Sequence, residues 1–329
     1  MIDERDGECY TFLYVSHIAA ACQGIAIQSI HAKRTRELSK YSCVRNFPCI
    51  PWLNIMSDIA VIILTKDEKL HIGRCLERIA AFSPRQVFVV DCFSTDGTQR
   101  IVEEWQNDKT GQPHFIISVV EHEWPGNQAA QFNWALDNLA IDTEWILRLD
   151  ADEWLTDELI AEIKDKLQTL PKDVDGVVFK RRHYVGWLGS KWIKHGMYPT
   201  RILRLFRTGH ARYAEDMAMD EHLVVKGKTV EFNNDFVDES LISFGDWKAK
   251  HRNYAKREAM MAISGKMNPN KRAYYRLPPY FRAFAYFCIR YFLKRGFLDG
   301  LPGFRWHFWQ GLWYRWIVDI EIGKMKHAK

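Results

Sequence analysis

Hydrophobic and polar positions fall into a regular rhythm from residue 58 onward. Ile59 to Leu64 is an unbroken apolar run, the pattern of a strand covered on both faces. The polar stretch Thr65-Lys66-Asp67-Glu68 follows, and then Ile72, Cys75, Leu76, Ile79 and Ala80 recur on one side of a helix. Gln86 to Val90 predicts a second strand ending in Asp91, with a turn at Ser94-Thr95-Asp96-Gly97-Thr98 and a helix that turns Ile101, Val102 and Trp105 inward. Phe115 to Val120 predicts a third strand, followed by a helix over roughly residues 128–140. Trp145 to Leu149 is a fourth strand. Leu159, Ile160, Ile163, Leu167 and Leu170 mark the next helix, which Pro171 ends, and a strand resumes at Val177 to Lys180.

Strands alternating with helices imply parallel pairing through crossovers, and hence an open, mostly parallel α/β sheet with helices on both faces. Such sheets bind ligands beyond the carboxyl ends of their strands. That rule gathers scattered acids into one candidate site: Asp67 and Glu68, Asp91 with Asp96, and Asp150 with Asp152 all follow strand ends. Asp150-Ala151-Asp152 is the most informative of these, because two carboxylates spaced i, i+2 where a strand opens into a loop can converge on one hard divalent cation. The plain alternative is an acidic turn before a helix, where Asp157 and Glu158 also suit the helix start.

With those positions placed, the chain resembles the family 2 glycosyltransferases of the GT-A fold over roughly residues 57–260. The matching segments are Ile62-Ile63-Leu64-Thr65-Lys66-Asp67-Glu68, Val89-Val90-Asp91-Cys92-Phe93-Ser94-Thr95-Asp96-Gly97-Thr98 and Leu149-Asp150-Ala151-Asp152-Glu153. Within the family it is most similar to bacterial enzymes that build lipopolysaccharide core or exopolysaccharide, which also have counterparts of Met219-Asp220-Glu221-His222-Leu223, Asn253-Tyr254-Ala255 and Glu258-Ala259.

The resemblance implies that Thr65 and Glu68 line a nucleotide pocket, that Asp91 accepts hydrogen bonds from the base or ribose, and that Asp96 belongs to the same donor-binding turn. It implies that Asp150 and Asp152 organise Mg²⁺ or Mn²⁺ on the diphosphate of a nucleotide-sugar donor, with Asp152 the direct ligand. Glu221 is the expected base for the acceptor hydroxyl and Asp220 the second choice, giving inversion by a single displacement. Gln131 and Asn133 are expected to face the donor. Trp187, Trp192, His195 and the stretch Arg201 to Arg207 are expected near a glycolipid or polysaccharide acceptor, although a buried core explains them equally well. Two rival functions remain at this point: a nucleotidyltransferase on a related fold, disfavoured because no Gly-rich, Lys-containing phosphate loop follows the first strand, and a non-catalytic membrane-associated nucleotide-binding scaffold.

Charge changes the picture at the C-terminus. Net charge is +5 overall, but residues 271–329 carry 12 Lys or Arg against 3 Asp or Glu, together with 17 of the 45 aromatic residues. Rings interleaved with snorkelling cations suit the boundary between lipid headgroups and acyl chains, so residues 261–329 are expected to form an aromatic, basic, membrane-associating helical region. No recognised nucleic-acid module is visible, and nucleic acid is not an expected partner. The seven cysteines show no Cys-x-x-Cys spacing, which suits a reducing compartment. Without an apolar stretch long enough to span a bilayer, a cytoplasmic protein, peripheral on the inner face of the cytoplasmic membrane, is expected. Residues 1–56 lack the strand-helix rhythm. They are either an extension upstream of a start at Met56 or a small helical cap.

Overall fold

A computed structural model describes residues 57–107, 115–214, 223–265 and 269–327. They belong to one compact unit, Ile55–Lys329; the N-terminal extension lies outside the described residues. The unit opens as expected. Strands β1 (Ser57–Thr65), β2 (Pro84–Asp91), β3 (Ile116–Glu121) and β4 (Trp145–Asp150) pair in parallel in the order β3-β2-β1-β4. Helices α1 (Ile72–Phe82), α2 (Thr98–Asn107), α3 (Gln128–Asn138) and α4 (Asp157–Lys166) follow in turn.

Alternation along β1 shows why both faces are covered. Ile59, Val61 and Ile63 pack with Ile72, Leu76 and Ile79 of α1 and Val102 of α2, while Ala60, Ile62 and Leu64 pack with Ala129, Phe132 and Ala135 of α3. A strand between two helix layers has no polar face to present, which is why its sequence is a run rather than an alternation.

Beyond β4 the sheet changes character. It continues β4-β8-β6-β11-β5, through β5 (Glu153–Leu155), β6 (Val174–Val185), β8 (Thr200–Arg207) and β11 (Lys228–Ser240), with a short β7 (Lys191–Trp192) beside β6. Here β8 is antiparallel to both its neighbours, β6 and β11 are parallel, and β5 is antiparallel to β11. A two-stranded ribbon, β9 (Ala211–Tyr213) with β10 (Leu223–Val225), stands apart.

The chain then becomes helical: α5 (Phe244–Ser264), α6 (Pro269–Tyr275), α7 (Phe281–Cys288), α8 (Gly300–Trp306) and α9 (Tyr314–His327), with π turns at Ile289–Leu293 and His307–Trp313. Ala255 and Ala259 of α5 pack on Tyr314, Val318 and Ile322 of α9. A second cluster joins Val185 and Ile193 of the sheet region to Trp247 of α5 and Trp306 of α8, so this aromatic core spans both parts. No helix among the described residues is long and apolar enough to cross a membrane.

Candidate active site

Two loops at the carboxyl end of the parallel half are laced together. Asp67 takes a positive φ of 55°, donates its N–H to Ser94 Oγ (2.8 Å) and accepts from the N–H of Thr95 (2.8 Å). The Glu68 N–H reaches Thr98 Oγ1 (2.8 Å), and Lys66 Nζ reaches the Phe93 carbonyl (2.7 Å). Asp96 fixes the other side. One of its oxygens accepts from the Thr98 N–H and hydroxyl, the other from the Lys69 N–H. Partial desolvation works against the Asp96 anion, but these hydrogen bonds outweigh it and hold its carboxyl below the usual range. Gly97 has φ of 98°, which a side chain would resist.

Asp91 is the buried anchor of this arrangement, with no exposed surface. Its Oδ1 accepts from Thr65 Oγ1 (2.7 Å) and Ser94 Oγ (2.6 Å), and its Oδ2 accepts from the Ser94 N–H (2.7 Å) and Gln99 Nε2 (2.8 Å). Four donors explain how a carboxylate survives out of water. Its oxygens serve the protein's own turn in this structure, and Thr65 and Glu68, rather than Asp91, line the neighbouring cavity.

Glu68 is held by a relay. Its Oε2 lies 2.6 Å from His71 Nδ1, and His71 Nε2 lies 2.9 Å from the backbone nitrogen of Leu241. Because that N–H must donate, Nε2 is the acceptor and the ring proton sits on Nδ1, facing Glu68.

Asp150 and Asp152 differ in their surroundings. Asp150 is braced by Arg148 (3.1 Å) and Gln128 (3.2 Å) on one oxygen and by Arg204 (3.2 Å) on the other. Burial works against its charge, but the two buried guanidiniums prevail and its carboxyl is held low. Arg204 also reaches Glu153 Oε1 (2.5 Å), and burial pushes Glu153 up to about 7 despite that cation. Asp152 makes no side-chain hydrogen bond or ion pair among the described residues. Burial, followed by the charges of Asp238, Asp150, Glu153 and Glu68, pushes its carboxyl well above the usual range. Asp238, on β11 opposite Glu153, is held low against burial by His183 and Arg181, with Arg181 at 3.0 Å. Asp152 is thus the acid of this edge without a hydrogen-bond or ion-pair partner among the described residues, and its charge is felt by Lys250.

A cavity of about 820 Å³ opens beside these groups. Thr65, Glu68 and Gln128 form its sheet side, while Lys250, Tyr254 and Arg257 of α5 line it from the helical side. Partial desolvation works against the Lys250 ammonium, but Tyr254, Glu68 and Asp152 raise its affinity for the proton. Lys250, Arg257 and Asp238 were not singled out by the sequence, and Asn253-Tyr254 was noted only as a matching segment.

Other expected residues land elsewhere. Gln131 is fully buried, contacting His122 (2.7 Å) and Cys92 Sγ (3.2 Å), and Asn133 clamps the Tyr213 backbone through two 3.0 Å bonds. Gln128, one turn earlier, is the amide that reaches the site. Trp187 packs against Phe244, Trp247 and Trp306. Trp192 stacks with Tyr184, and His195 pairs with Asp299. Of the arginines on β8, Arg204 serves the site, while Arg201 and Arg207 pair with Glu231 and Glu144. Asp220 and Glu221 lie outside the described residues.

The model of the family described as glycosyl transferase family 2 matches residues 60–224, half of the chain, from β1 through the acidic edge to β10. The chain belongs to glycosyl transferase family 2. As a member it is a glycosyltransferase using a nucleotide-sugar donor. Among solved structures, the chain is similar to S. aureus TarS 1–349 in complex with UDP-GlcNAc, at 16% identity over 74% of this chain and 73% of that one, with a TM-score of 0.43. It is also similar to the mannosyltransferase PcManGT from Pyrobaculum calidifontis in complex with GDP-Man and Mn²⁺, at 17% identity over 90% and 82% of the two chains, with a TM-score of 0.42. At this level neither assigns a residue or a substrate.

Proposed function

We propose that this family 2 glycosyltransferase transfers a sugar, with inversion and with Mg²⁺ or Mn²⁺, from a nucleotide-diphosphate donor to a lipid-linked, lipopolysaccharide or exopolysaccharide acceptor at the inner face of the cytoplasmic membrane. The observation that carries the metal reading is Asp152: a carboxyl group with no hydrogen-bond or ion-pair partner among the described residues, set among Asp150, Glu153, Asp238 and Glu68, of which Glu68 lines the cavity. Burial and those neighbours favour its protonated form, and a bound cation would favour the carboxylate.

Asp152 and Asp150 offer carboxylate oxygens, the donors that a hard ion prefers. Among the described residues no three acidic, histidine or cysteine side chains converge as a ready cage. Asp152, with Asp150 beside it, would hold the ion. Bound there, the ion would take up negative charge as the nucleoside diphosphate departs.

The chain's own groups supply the rest. Arg148 and Arg204 hold Asp150 in place, and Gln128 fixes its remaining orientation. Thr65 and Glu68 bound the nucleotide end of the cavity, with Glu68 kept rigid by His71. Asp91 and Asp96 act by shaping the loop around that end. Lys250 and Arg257 extend cations toward the space the diphosphate would occupy and help it leave. Glu221, with Asp220 as second choice, takes the proton of the acceptor hydroxyl.

The deciding experiment measures release of nucleoside diphosphate from a panel of nucleotide sugars, with and without Mn²⁺, for the natural chain, Asp152→Asn and Glu221→Gln. Metal-dependent turnover that Asp152→Asn abolishes supports the reading. Full activity in Asp152→Asn removes the metal assignment, and full activity in Glu221→Gln removes the base.

A further inference from the structure

The helical region turns part of its apolar surface outward, and it does so rigidly. Residues 281–313 form a helical hairpin: α7 and its π turn run out, residues 294–299 make the bend, and α8 with the second π turn runs back against α7. The outer side of this hairpin carries Phe281, Phe284, Ile289, Phe292, Leu293, Phe297, Leu298, Leu301 and Phe304, all well exposed, with Leu293 reaching 76%.

The bend is not a loose loop that could tuck these side chains away. A Cβ on Gly296 would stand 2.4 Å from His307 Nε2, and one on Gly303 would stand 2.5 Å from the Gly296 carbonyl oxygen, so backbone and ring are in tight contact. Asp299 accepts from the His195 N–H (2.8 Å) and pairs with His195 Nδ1 (2.6 Å), His307 Nε2 reaches the His195 carbonyl (3.1 Å), and Trp306 Nε1 reaches Met197 Sδ (2.8 Å). The bend is thus bolted to the segment after β7. Ordering nine large apolar side chains in water, on a bend fixed from beneath, needs a partner that covers them.

The charges say which partner. Lys294, Arg295 and Arg305 are exposed at the same bend and form no ion pair among the described residues. The one acid between residues 276 and 316 is Asp299, already committed to His195. Lys194 and Lys294 also border a smaller cavity of about 370 Å³ at the base of the bend. Phenylalanine and leucine in front, cations around them and no accessible acid is the complement of an anionic bilayer surface, where rings and aliphatic chains enter the acyl boundary while ammonium and guanidinium groups stay at the phosphates. No described helix can span, so the hairpin lies in the interface.

We propose that residues 289–305 are a membrane-insertion wedge that seats the enzyme on anionic lipid through Phe292, Leu293, Phe297, Leu298 and Leu301, with Lys294, Arg295 and Arg305 contacting headgroup phosphates. This deepens the reading of a lipid-linked acceptor and rests on it for its purpose alone. Binding is measured with neither donor nor acceptor present, so the two can fail separately.

The test is co-sedimentation of the full chain with vesicles of phosphatidylethanolamine and phosphatidylglycerol, against phosphatidylcholine alone. The natural chain should partition onto the anionic vesicles, and Leu293→Ser combined with Leu298→Ser should lower the partition coefficient at least about tenfold. Lys294→Glu with Arg295→Glu should abolish the preference for anionic over neutral lipid. Ile116→Ser, at an equally exposed apolar position on the edge strand β3, should leave partitioning unchanged. An unchanged melting temperature, and unchanged donor turnover without vesicles, show that the variants are folded. Absence of binding to anionic vesicles overturns the proposal, as does equal loss in Ile116→Ser. So does concentration-dependent dimerisation in light scattering that Leu293→Ser with Leu298→Ser removes while vesicle binding is absent, since the surface would then serve a second copy of the chain.

Discussion

The two halves of the described molecule place charge and apolar surface in opposite ways. In the α/β half the apolar residues are inside and the carboxylates gather at one rim, where Asp152 alone among the rim acids lacks a partner. In the helical half, Arg282 with Asp319, Glu258 beside the half-buried Arg315, and Arg290 are buried, while phenylalanines and leucines face outward. Glu258 accepts from Tyr275, Tyr314 and Arg315, and Asp319 holds Arg282 and the Tyr280 N–H. The contrast teaches that the second half adds buried, directional polar contacts to its apolar clusters while part of its apolar surface stays exposed.

The sharpest way to break this comparison is at Arg282. Replacing it with Ala leaves Asp319 buried and unpaired, and should destabilise the protein by about 3–5 kcal/mol in chemical denaturation. Arg282→Met together with Asp319→Leu should recover most of that loss. A small effect in the single variant would mean that apolar packing, not ion pairing, organises the helices.

Next comes the rim. Asp152→Ala should lower turnover about 10²–10³-fold, the scale of losing a main source of charge stabilisation at the reacting centre, while leaving the melting temperature unchanged or raised because the crowding of Asp152 by neighbouring acids is relieved. A strong loss of stability would turn Asp152 into a structural residue.

Proton linkage separates the halves more gently. His307 and His251 lie in the helical half, and burial, the largest cause for both, lowers each to about 4. Unfolded histidines titrate near 6.5, so between about pH 6.5 and pH 4 the unfolded chain binds more protons than the folded one. Stability should therefore be fully present above about pH 6.5 and fall as pH drops through that window. His251→Asn should flatten the fall in a melting-temperature profile. An unaltered slope would place the linkage elsewhere.

The mildest perturbation bridges the halves. Lys250→Ala should raise the donor KM roughly tenfold, with a smaller change in kcat, in steady-state kinetics. No change in either constant would take α5 out of the donor site.

What the sequence disclosed follows the same divide. The strands from β1 to β4 and their helices were legible because one period, the unbroken apolar run followed by helical spacing, governs both burial and pairing. Thr65, Glu68, Asp150 and Asp152 came with them, since strand ends are where such sheets work. Gln131 was taken for a donor-facing residue in place of Gln128 because periodicity identifies a helix face but not the height along it, and only the first turn reaches Asp150. Arg148 occupies a strand interior, where a charged residue reads as solvent-facing until its partners are known, and Arg204 was read with the rest of residues 201–207 as near the acceptor. Asp238 and Lys250 are brought to the rim by pairings across some eighty to a hundred residues, which no local pattern encodes. The aromatic, basic composition of the last sixty residues was visible, but not that glycine and histidine contacts would make its bend stiff.

The cavity wall contributed by α5 has a practical consequence for anyone recombining this enzyme with its relatives. Residues 60–224, the portion that the family shares, furnish only one side of the cavity proposed for the donor, and Lys250, Tyr254, Arg257 and Tyr314 close the other. A chimera that exchanges the shared portion alone would marry one enzyme's floor to another's roof. Donor preference should travel intact only when α5 and α9 are exchanged along with it.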